Sequence, residues 1–227
     1  MVTREQSQLL RPDLLEGVSI LIAGAGSEAA HGSFAAAVRD TCLALGARVS
    51  DCRLPPASGA REAAVGAPRE SGGAEEGELA GALARAGEPD MLVVDCAGLF
   101  AHALAGERAY GRSALSGCLE ASWSIIHAVV NDVFLARGGG GRIVLLAPPP
   151  DADGPDGAEH VGAACSGLEN LARTLSIEWA RRQITTVAIA TRTAAAVEET
   201  AELTAYLASP AGAYFSGCLL DLRGPRG

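Results

Sequence analysis

The amino-acid sequence predicts an α/β fold, a doubly wound parallel sheet covered by helices on both faces. Short apolar runs recur along the chain, and most are followed by a segment whose apolar residues return every three or four positions. The runs suit parallel strands buried on both faces, and the periodic segments suit helices packed on a sheet. Strands that alternate with helices in this way form a three-layer αβα arrangement. With 227 residues, the chain is expected to be a single domain, 1–227.

The first elements predict a strand, a helix and a second strand. The apolar run 18–23 ends in the turn Gly24-Ala25-Gly26, a helix is expected from about 33 to 45, and a second strand covers 46–52. Dinucleotide-binding folds begin in this order.

The segment 54–87 differs in composition from the rest of the chain. It is rich in Pro, Gly, Ala and Glu and has little periodicity. We interpret it as an irregular, solvated excursion with one weak strand at 63–65 and a short helix at 78–86. The next buried strand is 91–95.

The second half predicts two long helices, 112–137 and 159–181. The expected apolar stripe of the first comprises Leu115, Leu119, Trp123, Ile126, Val130 and Val133, and four glycines at 138–141 end that helix. The expected stripe of the second comprises Val161, Ala164, Leu168, Leu171 and Leu175. Strands are expected at 143–147, 186–190 and 217–222, and a helix at about 194–207.

Charge and composition exclude several functions. The net charge of −9 disfavours binding to nucleic acid or to an anionic membrane surface, because both require clustered cations. All 18 basic residues are arginine, so no mechanism can use an ε-amino group. The six cysteines are spread singly, without metal-ligand spacing, which indicates buried thiols in a reducing compartment. No signal-like or membrane-length apolar run is recognised, so we expect a cytoplasmic protein.

Several phrases occur in an order that a known family shares. They are the turn at Gly24, Asp95-Cys-Ala-Gly98, Gly141-Arg-Ile-Val, Ser166-Gly-Leu-Glu-Asn-Leu-Ala-Arg-Thr-Leu-Ser-Ile-Glu-Trp-Ala180, and the closing Leu207-Ala-Ser-Pro with Phe215-Ser-Gly-Cys-Leu-Leu-Asp-Leu222. In these, nearly end to end, the chain resembles the short-chain dehydrogenase/reductase family. The resemblance implies a Rossmann-like fold.

The residues that the resemblance assigns to catalysis are replaced. In the family a strand ends at a serine, a tyrosine follows thirteen residues later and a lysine four after that; here these positions are Pro148, Val161 and Cys165. The family's asparagine falls near Glu120. Pro148 has no side-chain donor and Val161 has no titratable group, so no catalytic residue is assigned. No metal site is expected.

Other side chains were weighed as substitutes for these groups. Tyr110, His127 and His160 are available, and His160 alone adjoins the former tyrosine position. We interpret His127 as packed or at an interface, and Cys165 as an inert buried thiol rather than a nucleophile.

The resemblance places a cofactor site at Gly24, Gly26, Arg53, Ala97 and Gly98. Glycines let backbone N–H groups approach a pyrophosphate. The loop 27–32 is longer than usual and carries Glu28, whereas Arg53 matches a position that can meet a 2′-phosphate. No cofactor is firmly expected; if one binds, NADP is expected before NAD. A surface arginine is an equal interpretation of Arg53.

The resemblance also implies association between subunits. In the family the two long helices form a four-helix interface and the C-terminal strand forms a second, and Trp123 and Trp179 are large apolar candidates near them. The loop that closes over substrate in the family is nearly absent, because Thr191 leads almost directly into the next helix.

Three functional hypotheses follow. The first is a catalytically silent subunit, a pseudoenzyme, that pairs with an active short-chain dehydrogenase through helices 112–137 and 159–181 in a hetero-oligomer. The second is an atypical NAD(P)-dependent oxidoreductase for a hydroxy or keto substrate that uses His160. The third is a ligand or cofactor sensor.

Overall fold

The sheet has six strands, all parallel. In the computed structural model, the residues described are 10–25, 33–54, 77, 80–81, 83–105, 111–152, 158–193 and 196–224. The strands are β1 (Ser19–Ala25), β2 (Arg48–Leu54), β3 (Met91–Val94), β4 (Gly141–Leu146), β5 (Ile184–Ala190) and β6 (Cys218–Asp221). Their order is β2-β1-β3-β4-β5-β6. The predicted doubly wound parallel sheet is confirmed.

Helices cover both faces of this sheet. They are α1 (Phe34–Ala44), α2 (Cys96–Leu104), α3 (Gly111–Val129), α4 (Ala158–Glu178) and α5 (Val197–Ala208). α3 continues as a π-helix over Val130–Leu135, and short 3₁₀ turns cover Ala180–Arg182 and Pro210–Tyr214. One apolar core lies under α2, α3 and α4, and a second lies under α1 and α5.

The strand order creates a crevice at the carboxyl edge of the sheet. β1 is followed in sequence by β2 on one side, whereas β3 pairs with the other side of β1. At such a switch point the loops after β1 and β3 diverge, and open α/β sheets place their ligands there. Gly24 and Asp95 stand at this point.

The structure adds one helix to the sequence interpretation and changes the buried face of another. Asp95 caps a nine-residue helix, α2, which the sequence analysis did not predict. Of the stripe expected for α3, Ile126, Val130 and Val133 are buried, whereas Leu115 and Leu119 are only partly buried and Trp123 is 43% exposed. In the first turns of α3 the buried face is formed instead by Ala114, Cys118 and Ser122. The small residues allow close packing: Cys118 Sγ donates to Cys96 O at 3.3 Å and Ser122 Oγ donates to Cys96 Sγ at 3.3 Å.

A guanidinium joins β4 to the end of α5. Arg142 Nη1 donates to the carbonyls of Leu207 at 3.0 Å and Ser209 at 2.6 Å, and also to that of Ala208. These are the carbonyls that the end of a helix leaves without intrahelical partners. Arg142 therefore both neutralises this helix end and fixes it over the start of β4.

The structure describes only part of the segment 54–87. Most of 54–87, including the expected strand at 63–65, lies outside the described residues; residues 83–86 are helical, within the helix expected at 78–86.

Gly111–Leu135 is long and apolar enough, by length and composition alone, to cross a membrane, with a mean hydropathy of 1.2. The sequence interpretation had recognised no such segment. In this fold the segment packs on the sheet as a core helix, with residues such as Ile126 and Phe134 fully buried.

Candidate functional site

Three of the four positions that the resemblance matched to catalytic residues are buried. Pro148 follows β4 and is buried, while Val161 and Cys165 lie one turn apart on α4 with exposures of 2% and 5%. Val161 and Cys165 belong to the same apolar core as Ala147 and Ala190, the residues at the ends of β4 and β5. Side chains of the core therefore occupy the place where reacting groups would have to meet a substrate.

Glu120 does not join the other three positions. It is exposed on α3, where its Oε1 accepts a hydrogen bond from Ser116 Oγ at 3.0 Å. Its neighbours Cys118 and Ser122 carry the buried face of the helix. The Glu120 side chain therefore lies outside the buried face of α3.

His160 is partly buried and packs against the first residue of α3. A methyl group at Gly111 would lie 2.5 Å from His160 Nδ1, so only glycine leaves room for the ring. Nδ1 is buried, and no hydrogen-bond partner for it occurs among the described residues. The imidazole thus lacks, in this part of the chain, the orienting acceptor that a general base normally has.

The remaining candidates are placed differently. His127 is exposed on α3, its Nε2 lies 3.0 Å from Asn131 Nδ2, and its ring centroid lies 5.4 Å from that of Trp123. The interpretation of His127 as a packed or interface residue stays a prediction. Tyr110 lies outside the described residues.

The cofactor crevice contains a residue whose role the sequence interpretation missed, Asp95. Its side chain is 4% exposed, and its Oδ1 accepts from Gly98 N at 2.9 Å, which caps α2. A methyl group at Gly24 would lie 2.9 Å from Asp95 Cβ, and one at Gly98 would lie 2.6 Å from Asp95 Oδ2. The two glycines therefore make room for Asp95. An aspartate directly after a buried strand was the available signal for such a cap.

Burial also affects the charge of Asp95. Loss of solvent raises the pKa of this carboxyl above its ordinary value, and the hydrogen bond from Gly98 N acts in the opposite direction. The crevice between β1 and β3 thus holds a carboxyl group whose neutral form is favoured by burial.

The described part of this crevice is shaped by Asp95 and by the start of α1. The space left by Gly24 and Gly98 is filled by Asp95, and the first turn of α1 is capped by its own serine, because Ser33 Oγ accepts from Ala36 N at 3.2 Å. That N–H is one of the donors that would otherwise face a phosphate. Ala97 is 8% exposed, while Gly26 and the side chain of Arg53 lie outside the described residues.

Buried thiols stand nearby without features of a nucleophile. Cys96 has no exposed surface, and burial, followed by its interaction with Cys118, raises the pKa of its thiol well above the ordinary value. A raised pKa lowers the fraction of thiolate, which is the reactive form. Cys96 is therefore a structural residue that joins α2 to α3.

The connection after β5 is short. β5 ends at Ala190 and α5 begins at Val197. Thr191, 1% exposed, has an Oγ1 without a hydrogen-bond partner among the described residues. Arg192 pairs with Glu199 at 2.6 Å across the start of α5.

Two concavities of about 390 Å³ occur elsewhere on the described surface. One is lined by residues of 83–88 and 132–137, and the other by Leu10 and α5 residues such as Tyr206. Neither includes Pro148, Val161, Cys165 or Asp95. Within the described residues, no group of three or more His, Cys, Asp or Glu side chains could hold a metal ion.

Comparisons with known proteins define the fold. No protein-family model and no curated protein sequence matches the chain. A short-chain dehydrogenase from Mycobacterium smegmatis is similar in structure, with a TM-score of 0.67, 19% identity and coverage of 95% of both chains. A citronellol catabolism dehydrogenase from Pseudomonas aeruginosa has a TM-score of 0.65 and 22% identity over 94% of this chain and 96% of its own. A short-chain dehydrogenase/reductase from Serratia marcescens has a TM-score of 0.62 and 22% identity over 92% and 97%.

Proposed function

We propose that this chain, which has the fold of the short-chain dehydrogenases/reductases, is a catalytically silent subunit of an oxidoreductase complex. It would pair with an active chain of the same fold and stabilise it or shape its substrate pocket. One observation carries the proposal: the positions that would act on a substrate hold Pro148, Val161 and Cys165, and all three are buried in or beside the core.

The chemistry of these three residues explains the loss. Oxidation of an alcohol or reduction of a carbonyl requires a group that exchanges a proton with the reacting oxygen. Proline and valine have no exchangeable side-chain proton, and a buried thiol cannot supply the permanent positive charge of an ammonium group. No change of side-chain rotamer can supply a hydroxyl or ammonium group, because proline, valine and cysteine do not contain one.

Surfaces suited to association remain on the two long helices. Trp123 of α3 is 43% exposed and Ile177 of α4 is 77% exposed, whereas most large apolar residues of the described chain are buried. Exposed aromatic and aliphatic side chains on regular helices are common anchors of protein interfaces. This supports a hetero-oligomer in which α3 and α4 contact the active subunit.

The proposal also covers which subunit binds the cofactor and where in the cell the complex lies. The active partner would hold the dinucleotide, and any dinucleotide bound by this chain itself would be NADP before NAD, because Arg53 matches a position that can meet a 2′-phosphate. The complex would be cytoplasmic and would bind neither nucleic acid nor membranes, consistent with the net charge of −9.

A turnover assay tests the silent site. The purified full chain is incubated with NAD or NADP and a panel of alcohols, aldehydes and ketones, and absorbance at the nicotinamide band is followed. We expect no rate above that of a heat-denatured sample. A rate that scales with protein concentration and survives further purification would overturn the proposal.

A second candidate function rests on His160. His160 directly precedes Val161, the former tyrosine position, and its imidazole can exchange a proton, so it could act as the acid of an atypical oxidoreductase. If the turnover assay gives a measurable rate, His160→Ala decides between the two. Loss of the rate would establish the atypical enzyme, and an unchanged rate would remove His160 from consideration.

A further inference from the structure

A concavity of about 390 Å³ lies at the edge of the sheet where β3 and β4 begin. One wall is formed by residues 83–88, which lead into β3, and the other by residues 132–137, which lead into β4. Since the two strands pair with each other, both walls are attached to the same part of the sheet. The volume falls within the roughly 300–1,000 Å³ that small-molecule sites occupy.

The wall that continues α3 includes a π-helix, Val130–Leu135. Helices of this kind are rare and occur frequently at functional sites. Phe134 is fully buried, whereas its neighbours Asp132 and Val133 line the concavity. The segment that departs from regular α-helical geometry is therefore one that faces this space.

Three charged side chains line the concavity, those of Glu88, Asp132 and Arg137. Both carboxylates are exposed, and neither forms an ion pair within the part of the chain that the structure describes. Arg137 has no acidic partner in that part of the chain either. The concavity thus offers one positive and two negative groups that do not neutralise one another.

The guanidinium of Arg137 is held in place by backbone carbonyls. Its Nη1 donates to Pro89 O at 2.9 Å, and its Nε and Nη2 both donate to Gly140 O, the former at 3.2 Å. Its Cζ lies 4.9 Å from the centroid of the Phe134 ring. These bonds use three of the five N–H donors and leave one on each terminal nitrogen. A fixed guanidinium with free donors is suited to bind a carboxylate.

Apolar side chains complete the lining. Val133 is 7% exposed, Leu83 is partly buried against the same core, and Ala136 presents a methyl group. A ligand with an aliphatic side chain would remove part of this apolar surface from water, which favours binding. The lining therefore combines charges of both signs with a small apolar surface.

We propose that this concavity binds a free α-amino acid with an aliphatic side chain. The α-carboxylate accepts hydrogen bonds from the guanidinium of Arg137, and the α-ammonium group donates to Glu88 and Asp132. The aliphatic side chain contacts Leu83 and Val133. Only a zwitterion satisfies both signs of charge, because an amine leaves the guanidinium without an anion and a carboxylic acid leaves the two carboxylates without a cation.

This inference goes beyond the proposed function and does not depend on it. The concavity lies where β3 and β4 begin, whereas Asp95 and Pro148 follow the ends of the same two strands. An amino acid bound there does not touch the positions of the missing catalytic groups. A silent subunit and an amino-acid site can therefore coexist in one chain.

Isothermal titration calorimetry of the purified full chain with L-leucine tests the proposal. We expect saturable binding with a dissociation constant of about 1 mM, a usual strength for so small a ligand. Isoamylamine lacks the carboxylate and isocaproic acid lacks the ammonium group. Each should bind at least about tenfold more weakly, because each loses its charged hydrogen bonds at one end of the site.

Substitutions test the two carboxylates. Asp132→Asn and Glu88→Gln should each raise the dissociation constant for L-leucine about tenfold. The matched control is Glu159→Gln, at an exposed position at the start of α4, which should leave that constant unchanged. Arg137 is tested through isoamylamine, since replacing it would also remove its bonds to Pro89 and Gly140.

The outcomes are distinct because all three substituted side chains are exposed and circular dichroism reports whether each variant is folded. Saturable leucine binding that weakens in both carboxylate variants and not in the control supports the proposal. Three results would each overturn it. They are no saturable heat up to about 10 mM L-leucine, tenfold above the expected constant, isoamylamine that binds as tightly as leucine, and unchanged binding in both carboxylate variants.

Discussion

Replacing Val161 by tyrosine tests whether the former reaction site is filled by the core. In an open cleft a tyrosine at this position would be tolerated, because its ring and hydroxyl would face solvent. Here Val161 is 2% exposed and packs in one core with Ala147, Ala164 and Cys165. The ring can enter only if these neighbours move.

The magnitude follows from two costs. Overpacking a well-filled core costs about 1–3 kcal/mol. A buried hydroxyl without a partner adds about 1–3 kcal/mol. We therefore expect Val161→Tyr to lower the free energy of unfolding by about 3 kcal/mol. For a chain of this length that corresponds to a fall in melting temperature of roughly 6–12 °C.

The assay is thermal unfolding followed by circular dichroism at neutral pH. The matched control is Glu178→Tyr, which introduces the same side chain at an exposed position of the same helix. Surface substitutions of this kind change stability by only about 0.5 kcal/mol. A Val161→Tyr variant that melts at the wild-type temperature would show an open cleft and refute the reasoning.

Three further substitutions have defined outcomes. Asp95→Asn should stabilise the protein at pH 7 but not below about pH 4, as measured by urea unfolding. Burial raises the pKa of Asp95, so between the pKa of the unfolded state and that of the folded state only the folded protein keeps the proton. The stability of the wild-type protein therefore falls as the pH rises through this range, and asparagine removes that loss. Arg142→Met should cost about 2–3 kcal/mol in the same assay, because charged hydrogen bonds to the end of α5 are lost. Gly167→Val should destabilise the contact of α4 with α3, because even a first added carbon would lie 3.1 Å from Leu119 Cδ1.

Each of these has a control or a contradicting result. An Asp95→Asn effect of equal size at pH 4 and pH 7 would show that packing, and not charge, is responsible. Arg192→Met, which removes an exposed ion pair, should cost less than about 1 kcal/mol, and an equal loss in both arginine variants would contradict the helix-end role of Arg142. An unchanged melting temperature for Gly167→Val would contradict close packing of the two helices.

The strands and long helices could be predicted because their signals are local. The run that became β3 is apolar at every position, and the glycines at 138–140 adopt the positive φ angles that end the preceding helical segment. Which face of α3 is buried could not be predicted from such local signals. Its buried face includes Ser122, which looks polar in a sequence but bonds to Cys96 of α2, as Cys118 also does.

The sequence shows which catalytic residues of the family are missing from the site, but it does not show how the residues in their place are packed. The substitutions at Pro148, Val161 and Cys165 are visible in the sequence, but their burial depends on neighbouring elements. Asp95 was recognised only as part of a phrase. Its cap on Gly98 is local, but its close contact with Gly24 joins segments about seventy residues apart, which no local pattern encodes.

Native mass spectrometry of the protein isolated from its own cells at low salt tests the central claim most directly. The account predicts a stoichiometric complex with a second chain of similar size that carries both the tyrosine and the lysine, with any dinucleotide bound to that partner. A homo-oligomer of this chain alone that retains a dinucleotide would contradict the account and favour an atypical enzyme or a sensor.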